Sequence, residues 1–446
     1  MARVLVAMSG GVDSAVAAAL LLDQGHEVTG VHLKLADLPL DDQVPGHGCC
    51  TLDDAQDARR AAQVLGIPYY VWDLSAVFER EVQRPFATTY AAGATPNPCV
   101  TCNERVKYAA LLERALALGF DALATGHHAR LRRDGRPVTE PAGPRAEAGS
   151  RTGAGSQTGA GSRTGAGSRT GVGSQTGAGS RTELVRAADA RKDQSYVLYV
   201  ATPQQLDHTL LPVGELPKER IRAIAAERGL RVAAKPDSYD VCFIPDGDTV
   251  GYLAERLPAE PGPIVDEDGE VLGTHDGVWR FTVGQRRGLG LDHHERRFVT
   301  AVDATSRTVR VGPREELACH WAELERPNWT RGVAPTGPVR VQVRAHGRSV
   351  PGRLVPSAGA PGGSAPGGSA PGGSAPGGSA PGGSAPGGSA PDAGRVRVEL
   401  DEPVHGLALG QAAVLYTADD AVCLGGGRVI AAERPAGLPV ASVSPG

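Results

Sequence analysis

The residues of this 446-residue chain best suited to chemistry are one glycine-rich loop near its start and two widely separated cysteines. The loop runs from Ser9 to Ser14 and reads Ser-Gly-Gly-Val-Asp-Ser. Its glycines lack a Cβ atom, so backbone N–H groups can approach phosphate oxygens, and its serines add hydroxyl donors. Cys102 and Cys242 carry thiols, which can hold a sulfur atom and release it by forming a disulfide. The pattern indicates phosphate binding at the loop and sulfur chemistry at the thiols.

The loop lies between a predicted strand and a predicted helix. The apolar run Val4–Ala7 is typical of a buried strand, and the Ala- and Leu-rich run Ala15–Leu22 of the helix after it. The start of that helix adds partial positive charge beside the loop. The loop has no lysine, unlike a Walker loop, which disfavours kinase and GTPase chemistry, and it lacks the Rossmann glycine spacing. It resembles the PP-loop of ATP pyrophosphatases, which implies attack of a substrate oxygen on the α-phosphorus of ATP.

Both cysteines lie in segments that favour reactivity. Cys102 is predicted just ahead of a helix over residues 103–118, where unpaired N–H groups and the helix dipole favour the thiolate. Cys242 follows a polar loop. A sulfur-transferring enzyme needs one cysteine to carry a persulfide and another to release it, whereas a PP-loop ligase needs no thiol. Cys99, Cys102 and Cys242 could instead hold an iron–sulfur cluster, and this alternative stays open.

Composition limits the class of protein. The net charge of −4 gives no overall basic field, so local patches would have to make any contact with RNA. No apolar run approaches the ~18–20 residues of a membrane span, and the N-terminus enters a strand rather than a signal peptide. Seven cysteines, an odd number, suit a reducing compartment. We therefore expect a cytoplasmic enzyme with no membrane partner.

The first third of the chain alternates strands and helices. Further strands are predicted over residues 26–33, 68–72 and 122–125, and a helix over 51–65. This alternation predicts an α/β fold with a doubly wound parallel sheet, whose ligands bind at the carboxyl ends of the strands. Thr125–His128 follows one such strand and is therefore expected at the same crevice as the glycine-rich loop.

Two low-complexity segments interrupt the predicted domains. Residues from about 143 to 182 and from about 357 to 392 are repeats with no apolar side chains to bury, and both are predicted to be disordered. Their flanking sequences place each at the tip of a β-hairpin, where insertions are tolerated. The predicted domains are a PP-loop domain (1–205), a small α+β central domain (206–278) with a helix from Pro217 to Gly229, a C-terminal β-barrel (279–432) and a tail (433–446).

The motifs together resemble those of the bacterial tRNA-specific 2-thiouridylases, a family within the PP-loop ATP pyrophosphatases. The resemblance extends over nearly the whole chain outside the two inserts. It is carried by Ser9–Ser14, Thr95–Pro98, Cys102–Asn103, Thr125–His127, Lys192–Tyr196, Asp240–Ile244, Val283–Gly290 and Gly410–Ala412. The resemblance implies a sulfurtransferase that replaces the C2 oxygen of the tRNA wobble uridine with sulfur, using ATP and Mg²⁺.

The resemblance also implies roles for individual residues. Those expected to bind ATP are Ala7, Met8, Ser9, Gly10, Gly11, Val12, Asp13, Ser14, Leu33 and Gly126. Those expected to meet the target base are Asn97, Pro98 and Cys99, and those expected to contact tRNA are His127, Lys192, Asp193, Gln194 and Gln411. Cys102 would be the nucleophile and Cys242 the persulfide carrier, with a disulfide between them after turnover. No resident metal site is implied.

Partners and alternatives complete the expectations. Besides tRNA, the chemistry implies a persulfide donor, either a cysteine desulfurase or a sulfur-relay protein, and a disulfide reductant. Cys99 stands where many members of the family carry an acidic residue able to transfer a proton. The alternative functions are a PP-loop ligase and a non-catalytic, ATP-dependent RNA-binding protein. The presence of Ser9, Asp13 and both cysteines favours the sulfurtransferase.

Overall fold

The computed structural model describes residues 1–35, 52–142, 182–237, 241–244, 246–291, 296–356 and 394–433. The predicted disorder of the inserts and nearly all of the predicted tail therefore concern residues outside the described ranges.

The first domain is built on a parallel sheet. The strands of this region are β1 Arg3–Ala7, β2 Glu27–Lys34, β3 Tyr69–Asp73, β4 Ala122–Ala124, β5 Ala129–Arg133, β6 Arg136–Pro137, β7 Thr182–Arg186 and β8 Thr209–Leu210. Five of them pair in the order β3-β2-β1-β4-β8, all in parallel. The predicted doubly wound α/β fold is confirmed, and the strands predicted from the sequence match β1 to β4 within about two residues.

Helices pack on both faces of this sheet. The α-helices before β8 are α1 Val12–Asp23, α2 Leu52–Leu65, α3 Ser75–Phe78, α4 Arg84–Ala91, α5 Pro98–Thr101, α6 Glu113–Ala117, α7 Ser195–Leu198 and α8 Pro203–Asp207. π-helical segments over Glu79–Gln83 and Cys102–Leu112 join α3 to α4 and α5 to α6, respectively. The stretch from α3 to α4 was not predicted, although Phe78, Val82 and Phe86 recur every four residues and bury one face of it.

A hairpin leads out of the parallel sheet. β5 pairs with β7 in antiparallel register, with Leu131 opposite Leu184, and the first insert lies between these strands as predicted. The second insert lies between β15 and β16, two strands of the C-terminal barrel (bounds below), where Leu354 is opposite Val398. Both inserts therefore extend from hairpins, where added chain does not disturb the core.

The central region holds a second, smaller sheet. Its elements are α9 Lys218–Glu227, α10 Thr249–Ala254, β9 Gly262–Val265, β10 Val271–His275, β11 Phe298–Asp303 and β12 Thr308–Gly312. The strands pair in the order β10-β9-β12-β11, so this sheet continues past residue 278, where the sequence analysis ended the central domain. Pro217 has extended backbone and caps α9 from outside, instead of occupying its first turn. Short 3-10 turns occur at Pro212–Glu215, Arg231–Ala234, Val278–Arg280 and Arg314–Leu317.

The last region is a closed barrel, as predicted. Its strands are β13 Ala318–Trp329, β14 Pro338–Gln342, β15 Val350–Pro356, β16 Arg395–His405, β17 Ala412–Tyr416 and β18 Val422–Ala432. They pair in the order β13-β16-β15-β14-β17-β18, and β18 returns to β13 to close the ring. β18 also pairs with β7, with Cys423 opposite Leu184, so the barrel is joined to the hairpin of the first domain.

Each face of the parallel sheet has its own apolar core. Val4 and Val6 pack with α1, α2 and α9 on one face. Leu5 packs on the other face, in a cluster that also contains Phe78 and Tyr416 and therefore reaches the barrel. None of the helices in the described ranges is long and apolar enough to cross a membrane.

Candidate active site

The loop after β1 is held by its own hydroxyl groups. The Oγ of Ser14 accepts a hydrogen bond from the Ser9 N–H at 3.2 Å and donates one to the Gly11 carbonyl oxygen at 3.1 Å. Gly10 has a φ of +83°, which favours glycine, and Gly11 is the extended N-cap of α1. The loop thus exposes Ser9 at the start of a helix, an arrangement suited to phosphate oxygens.

Lys235, which is far from this loop in the sequence, joins the loop to α2 by hydrogen bonds. The ammonium of Lys235 donates to Asp54 at 2.7 Å, to Asp57 at 2.8 Å and to the Gly10 carbonyl oxygen at 3.2 Å. A Cβ atom on Gly10 would lie 2.3 Å from the backbone oxygen of Asp54. Burial lowers the pKa of Lys235, but its two carboxylate partners raise it above its usual value, so the ammonium stays charged.

Two further residues expected to bind ATP lie at the ends of neighbouring strands. Leu33 is near the carboxyl end of β2 and is buried. Gly126 follows β4, and a Cβ atom there would lie 2.6 Å from the backbone nitrogen of Ser14. The predicted ATP-binding residues are therefore brought to one edge of the sheet, where Gly126 allows two backbone segments to touch.

Asp13 forms an ion pair that the sequence did not predict. Lys218, at the start of α9, donates to both of its carboxylate oxygens at 2.7 and 2.8 Å, and His128 Nε2 donates at 3.0 Å. Burial would raise the pKa of Asp13, but the His128 hydrogen bond and the Lys218 charge together hold it below its usual value. Since Lys218 is 205 residues from Asp13, no local pattern could have indicated this pair.

Lys218 also links the loop to a second carboxylate. Its ammonium lies 2.9 Å from Asp237, which in addition accepts hydrogen bonds from Lys192 at 2.7 Å and Arg222 at 2.8 Å. Burial would raise the pKa of Asp237, but the hydrogen bonds from Lys192 and Lys218 lower it to about 2. Asp237 is therefore a fixed negative charge surrounded by three cations.

The histidine expected to contact tRNA is bonded to two side chains of its own domain. His127 Nε2 accepts a hydrogen bond from Lys107 at 3.2 Å, and its Nδ1 lies 2.6 Å from the Thr125 hydroxyl. Burial, and then the positive charge of Lys107, put the pKa of His127 well below its usual value. Lys107, a basic residue that the sequence analysis did not single out, therefore lies directly beside this candidate tRNA contact.

The three tRNA-contact candidates after β7 have different environments. Asp193 accepts hydrogen bonds from Arg186 at 2.8 Å and from the Ser195 hydroxyl at 2.8 Å, so its carboxylate is already engaged inside the protein. Gln194 is exposed, and its side-chain oxygen accepts from the His128 N–H at 2.8 Å. Lys192 is partly exposed and bound to Asp237, as described above. Of the three, Asp193 is the one whose contacts indicate a role in holding the fold together.

The helix that carries Cys99 and Cys102 begins earlier than predicted. Asn97 caps it, with its side-chain oxygen accepting from the Val100 N–H, and Pro98 is its first residue. Cys99 therefore lies in the first turn and is partly exposed, whereas Cys102 lies one turn further on and is 7% exposed. The Cys102 N–H is bonded to backbone carbonyl oxygens of the first turn. The expectation that Cys102 precedes the helix was therefore wrong. The residue close to the unpaired N–H groups at the helix N-terminus is Cys99, in the first turn.

Cys242 is followed in the chain by Phe243, whose ring is buried among other aromatic rings. The ring of Phe243 lies 5.6 Å from that of Phe78, 5.3 Å from Phe86 and 5.3 Å from Tyr252, between centroids. Buried Cys102 belongs to the same apolar cluster, and Cys242 packs against it partly exposed. Cys102 and Cys242 therefore both contact one large apolar cluster, which also contains Cys423.

The segment expected to meet the base is held by the other two domains. Thr95 donates its N–H to the Leu409 carbonyl oxygen at 2.7 Å and its hydroxyl to Thr282 at 3.2 Å. The side chain of Gln411 donates to the Thr95 carbonyl oxygen at 3.1 Å. Gln411 is therefore placed beside the segment that leads to Asn97.

The iron–sulfur alternative requires Cys99, Cys102 and Cys242 to meet around one metal site. Thiolates are suitable ligands for such a cluster, and Cys99 and Cys102 are three residues apart on one helix. Within the described residues, however, no group of three or more His, Cys, Asp or Glu side chains is arranged to hold a metal ion. The three cysteines as they stand do not fit a cluster.

A parallel sheet with a Ser-Gly-Gly loop after its first strand defines a protein of the PP-loop class. Residues 2–146 and 164–246 match the family described as tRNA methyl transferase HUP domain, residues 250–313 the PRC-barrel domain of that name, and residues 389–429 the aminomethyltransferase beta-barrel domain. The middle match contains all four strands of the central sheet. Membership of this class implies the use of ATP.

Curated relatives identify the family more closely. The tRNA-specific 2-thiouridylase MnmA of Thermobifida fusca is 45% identical over 94% of this chain and 93% of its own length. That of Mycolicibacterium smegmatis is 51% identical over 77% and 85%, and that of Acidothermus cellulolyticus 44% over 97% and 99%. The chain belongs to the family of tRNA-specific 2-thiouridylases.

Proposed function

We propose that this protein is a tRNA-uridine 2-sulfurtransferase, which thiolates the C2 position of the wobble uridine of tRNA at the expense of ATP. The observation that carries the proposal is a phosphate-binding loop in a domain whose apolar cluster also contacts Cys102, which is buried, and Cys242, which is partly exposed. The relatives' name supports the same substrate and product. A ligase that joins an amine to an adenylate would use the loop but would not need the thiols.

The first step is activation of the base. The C2 oxygen of uridine attacks the α-phosphorus of ATP, an O–P bond forms, and pyrophosphate leaves with the electrons of the broken P–O bond. Ser9, the backbone of Gly10 and Gly11 and the N-terminus of α1 would hold the phosphates of ATP. Asp13 is a hard anionic oxygen ligand that suits Mg²⁺, which would offset the charge that develops on the phosphates. Lys218 would then be left to balance the charge of Asp237.

The second step transfers sulfur. The outer sulfur of a Cys242 persulfide attacks C2 and AMP leaves with the C2–O electrons, which gives a disulfide-linked adduct between Cys242 and the base. The Cys102 thiolate then attacks the Sγ of Cys242, so the sulfur–sulfur bond of the adduct breaks and the outer sulfur stays on C2. Release of the sulfur as free sulfide by Cys102 before attack is an equivalent route. Both leave a Cys102–Cys242 disulfide and one sulfur on the base.

The balance of this reaction requires two further partners. A persulfide donor, a cysteine desulfurase or a sulfur-relay protein, must reload Cys242, and a dithiol reductant must reopen the disulfide with two electrons. We propose that the protein acts with these partners and tRNA in the cytoplasm. His127, Lys192, Gln194 and Gln411 are proposed to contact tRNA, whereas Asp193 would act by holding this segment in place.

Nucleoside mass spectrometry tests the proposal. The full-length protein is incubated with unmodified tRNA, Mg-ATP and a persulfide donor, beside Cys102→Ala, Cys242→Ala and the control Cys319→Ala, a buried barrel cysteine. We expect 2-thiouridine with the native protein and the control only. Pyrophosphate release without 2-thiouridine from the native protein would contradict the proposal and favour a ligase. If anaerobically purified protein contains iron and sulfide in amounts equal to that of the protein, this result would contradict the persulfide route and favour an iron–sulfur cluster.

A further inference from the structure

Lys107 differs from every other lysine of the chain in its charge environment. Each of the other four has at least one carboxylate oxygen within 3.2 Å: Lys34 has Asp73, Lys192 has Asp237, Lys218 has Asp13 and Asp237, and Lys235 has Asp54 and Asp57. Among the residues that the structure describes, Lys107 has no carboxylate at ion-pair distance, although it is partly buried. Burial of an ammonium group without a counter-charge is unfavourable, so this lysine indicates that a bound ligand supplies the anion.

The one partner that Lys107 has in the described part of the chain leaves most of its hydrogen-bonding capacity unused. Its ammonium lies 3.2 Å from Nε2 of His127, and an imidazole carries no negative charge in either protonation state. An ammonium group has three N–H donors, of which His127 takes one. Two donors therefore remain for oxygen atoms of a ligand.

The segment that holds Lys107 in place also borders the ATP loop. Gly126, before His127, approaches the loop so closely that a Cβ atom there would lie 2.6 Å from the backbone nitrogen of Ser14. His128, after it, bonds to Asp13 at 3.0 Å. The ammonium of Lys107 therefore lies at the edge of the sheet where the phosphates of ATP are proposed to bind.

Lys107 also lies on the helix that carries the proposed nucleophile. The segment Cys102–Leu112 is π-helical, so its backbone bonds join residues five apart and Lys107 is one turn beyond Cys102. In the adenylated base a single oxygen joins the α-phosphorus to C2, and Cys102 must later reach the sulfur that takes the place of this oxygen. Of the three phosphates of ATP, the α-phosphoryl group is therefore the one expected between the loop and this helix.

We propose that Lys107 is a catalytic residue whose ammonium binds a non-bridging oxygen of the α-phosphoryl group, first in ATP and then in the adenylated base. The inference rests on the proposed function. In the first step the C2 oxygen forms the new O–P bond, and pyrophosphate leaves with the electrons of the old one. The ammonium keeps all its protons and offsets negative charge on the α-phosphoryl oxygens as the bonds change. In the second step the same contact stabilises AMP as it leaves with the C2–O electrons.

Steady-state kinetics of pyrophosphate release test this role. The native full-length protein, with unmodified tRNA and Mg-ATP, is compared with Lys107→Met, Lys107→Arg and the control Arg105→Met. Arg105 is a cation on the same helix that pairs with Glu104 at 3.2 Å. For Lys107→Met we expect kcat to fall about 100-fold, with the KM for tRNA within about 2-fold of native. Lys107→Arg, which keeps the positive charge, should have a kcat within about 10-fold of native, and Arg105→Met within about 2-fold.

A phosphate of the tRNA backbone is the other anion that Lys107 could meet. In that case Lys107→Met would raise the KM for tRNA and leave kcat near native, and this result would overturn the proposal. Because Lys107→Met could unfold, melting temperatures are measured as well. A misfolded Met variant together with a folded Arg variant whose kcat is reduced about 100-fold would also overturn it.

Failure of the proposed function is distinguishable from failure of this inference. Pyrophosphate is released before sulfur is transferred, so its kinetics do not depend on the thiols. A native protein that releases pyrophosphate but forms no 2-thiouridine contradicts the proposed sulfur transfer, and an unchanged kcat in Lys107→Met contradicts the role of this lysine alone.

Discussion

Replacing Gly10 by alanine tests the account of the ATP loop at its tightest point. Gly10 has a φ of +83°, and a Cβ atom there would lie 2.3 Å from the backbone oxygen of Asp54 and 2.8 Å from its carbonyl carbon. The obstruction is backbone of α2, not a flexible side chain, so either α2 or the loop must move. Gly11, the next residue, has extended backbone, and among the residues that the structure describes a Cβ atom there would meet only the Ser9 hydroxyl oxygen, at 3.5 Å.

Two costs add for Gly10→Ala. The left-handed backbone costs a residue with a Cβ atom about 1–2 kcal/mol. Forcing a methyl group into a packed contact costs about 1–3 kcal/mol more, so the variant should lose ~2–5 kcal/mol of unfolding free energy. For a domain of roughly 200 residues this corresponds to a fall of at least about 4 °C in melting temperature. Gly11→Ala, which has neither cost, should stay within about 0.5 kcal/mol of native.

Calorimetry and ATP kinetics measure the two consequences. Gly10→Ala should lower the melting temperature of the PP-loop domain and, because the phosphate-binding N–H groups move with the loop, raise the KM for ATP in pyrophosphate release at least 10-fold. Gly11→Ala is the matched control for stability. Equal melting temperatures for the two variants would refute the close approach of α2 to the loop and the strain assigned to Gly10.

Three further predictions concern titration, reactivity and domain docking. The native pKa of Asp13 lies below its ordinary value of 3.8, so its ion pair stabilises the protein above pH 3.8. This stabilisation is lost as the pH falls through the native pKa. In urea unfolding, Asp13→Asn should therefore have a lower free energy of unfolding than native at pH 7, and the difference should shrink below pH 3.8. Burial raises the pKa of the Cys423 thiol to about 12, so peptide mapping after iodoacetamide treatment at pH 8 should show alkylated Cys242 and intact Cys423, and labelling of both would contradict this burial. Arg186→Met removes the cation that pairs with the buried carboxylate of Asp193 and, at 2.8 Å, with Asp420 of the barrel, and it should cost about 3 kcal/mol in urea unfolding. An unchanged midpoint would show that the docking of the barrel does not depend on this cation.

The sequence predicted the local elements of the site well. The loop Ser9–Ser14 is determined by residues next to one another, and so are the alternating strands β1 to β4 and the hairpins that carry the inserts. The start of the thiol helix was also available locally, because Asn97 and Pro98 are typical N-cap and first-turn residues. The prediction went wrong by starting the helix at Asn103, and it thereby gave Cys102 the place near the helix N-terminus that Cys99 occupies.

Only the tertiary structure determines which charged side chains form ion pairs. Lys218 lies 205 residues from Asp13 and Lys235 181 residues from Asp54, so neither ion pair leaves a local pattern in the sequence. Asp193, a tRNA-contact candidate by sequence, lies only 7 residues from Arg186, but the sequence did not show that this arginine binds its carboxylate. A residue type and its neighbours fix what chemistry a side chain can do, because bonding within a loop or turn depends on adjacent residues. Its charge, burial and partners depend on elements that only the folded sheet and barrel bring together.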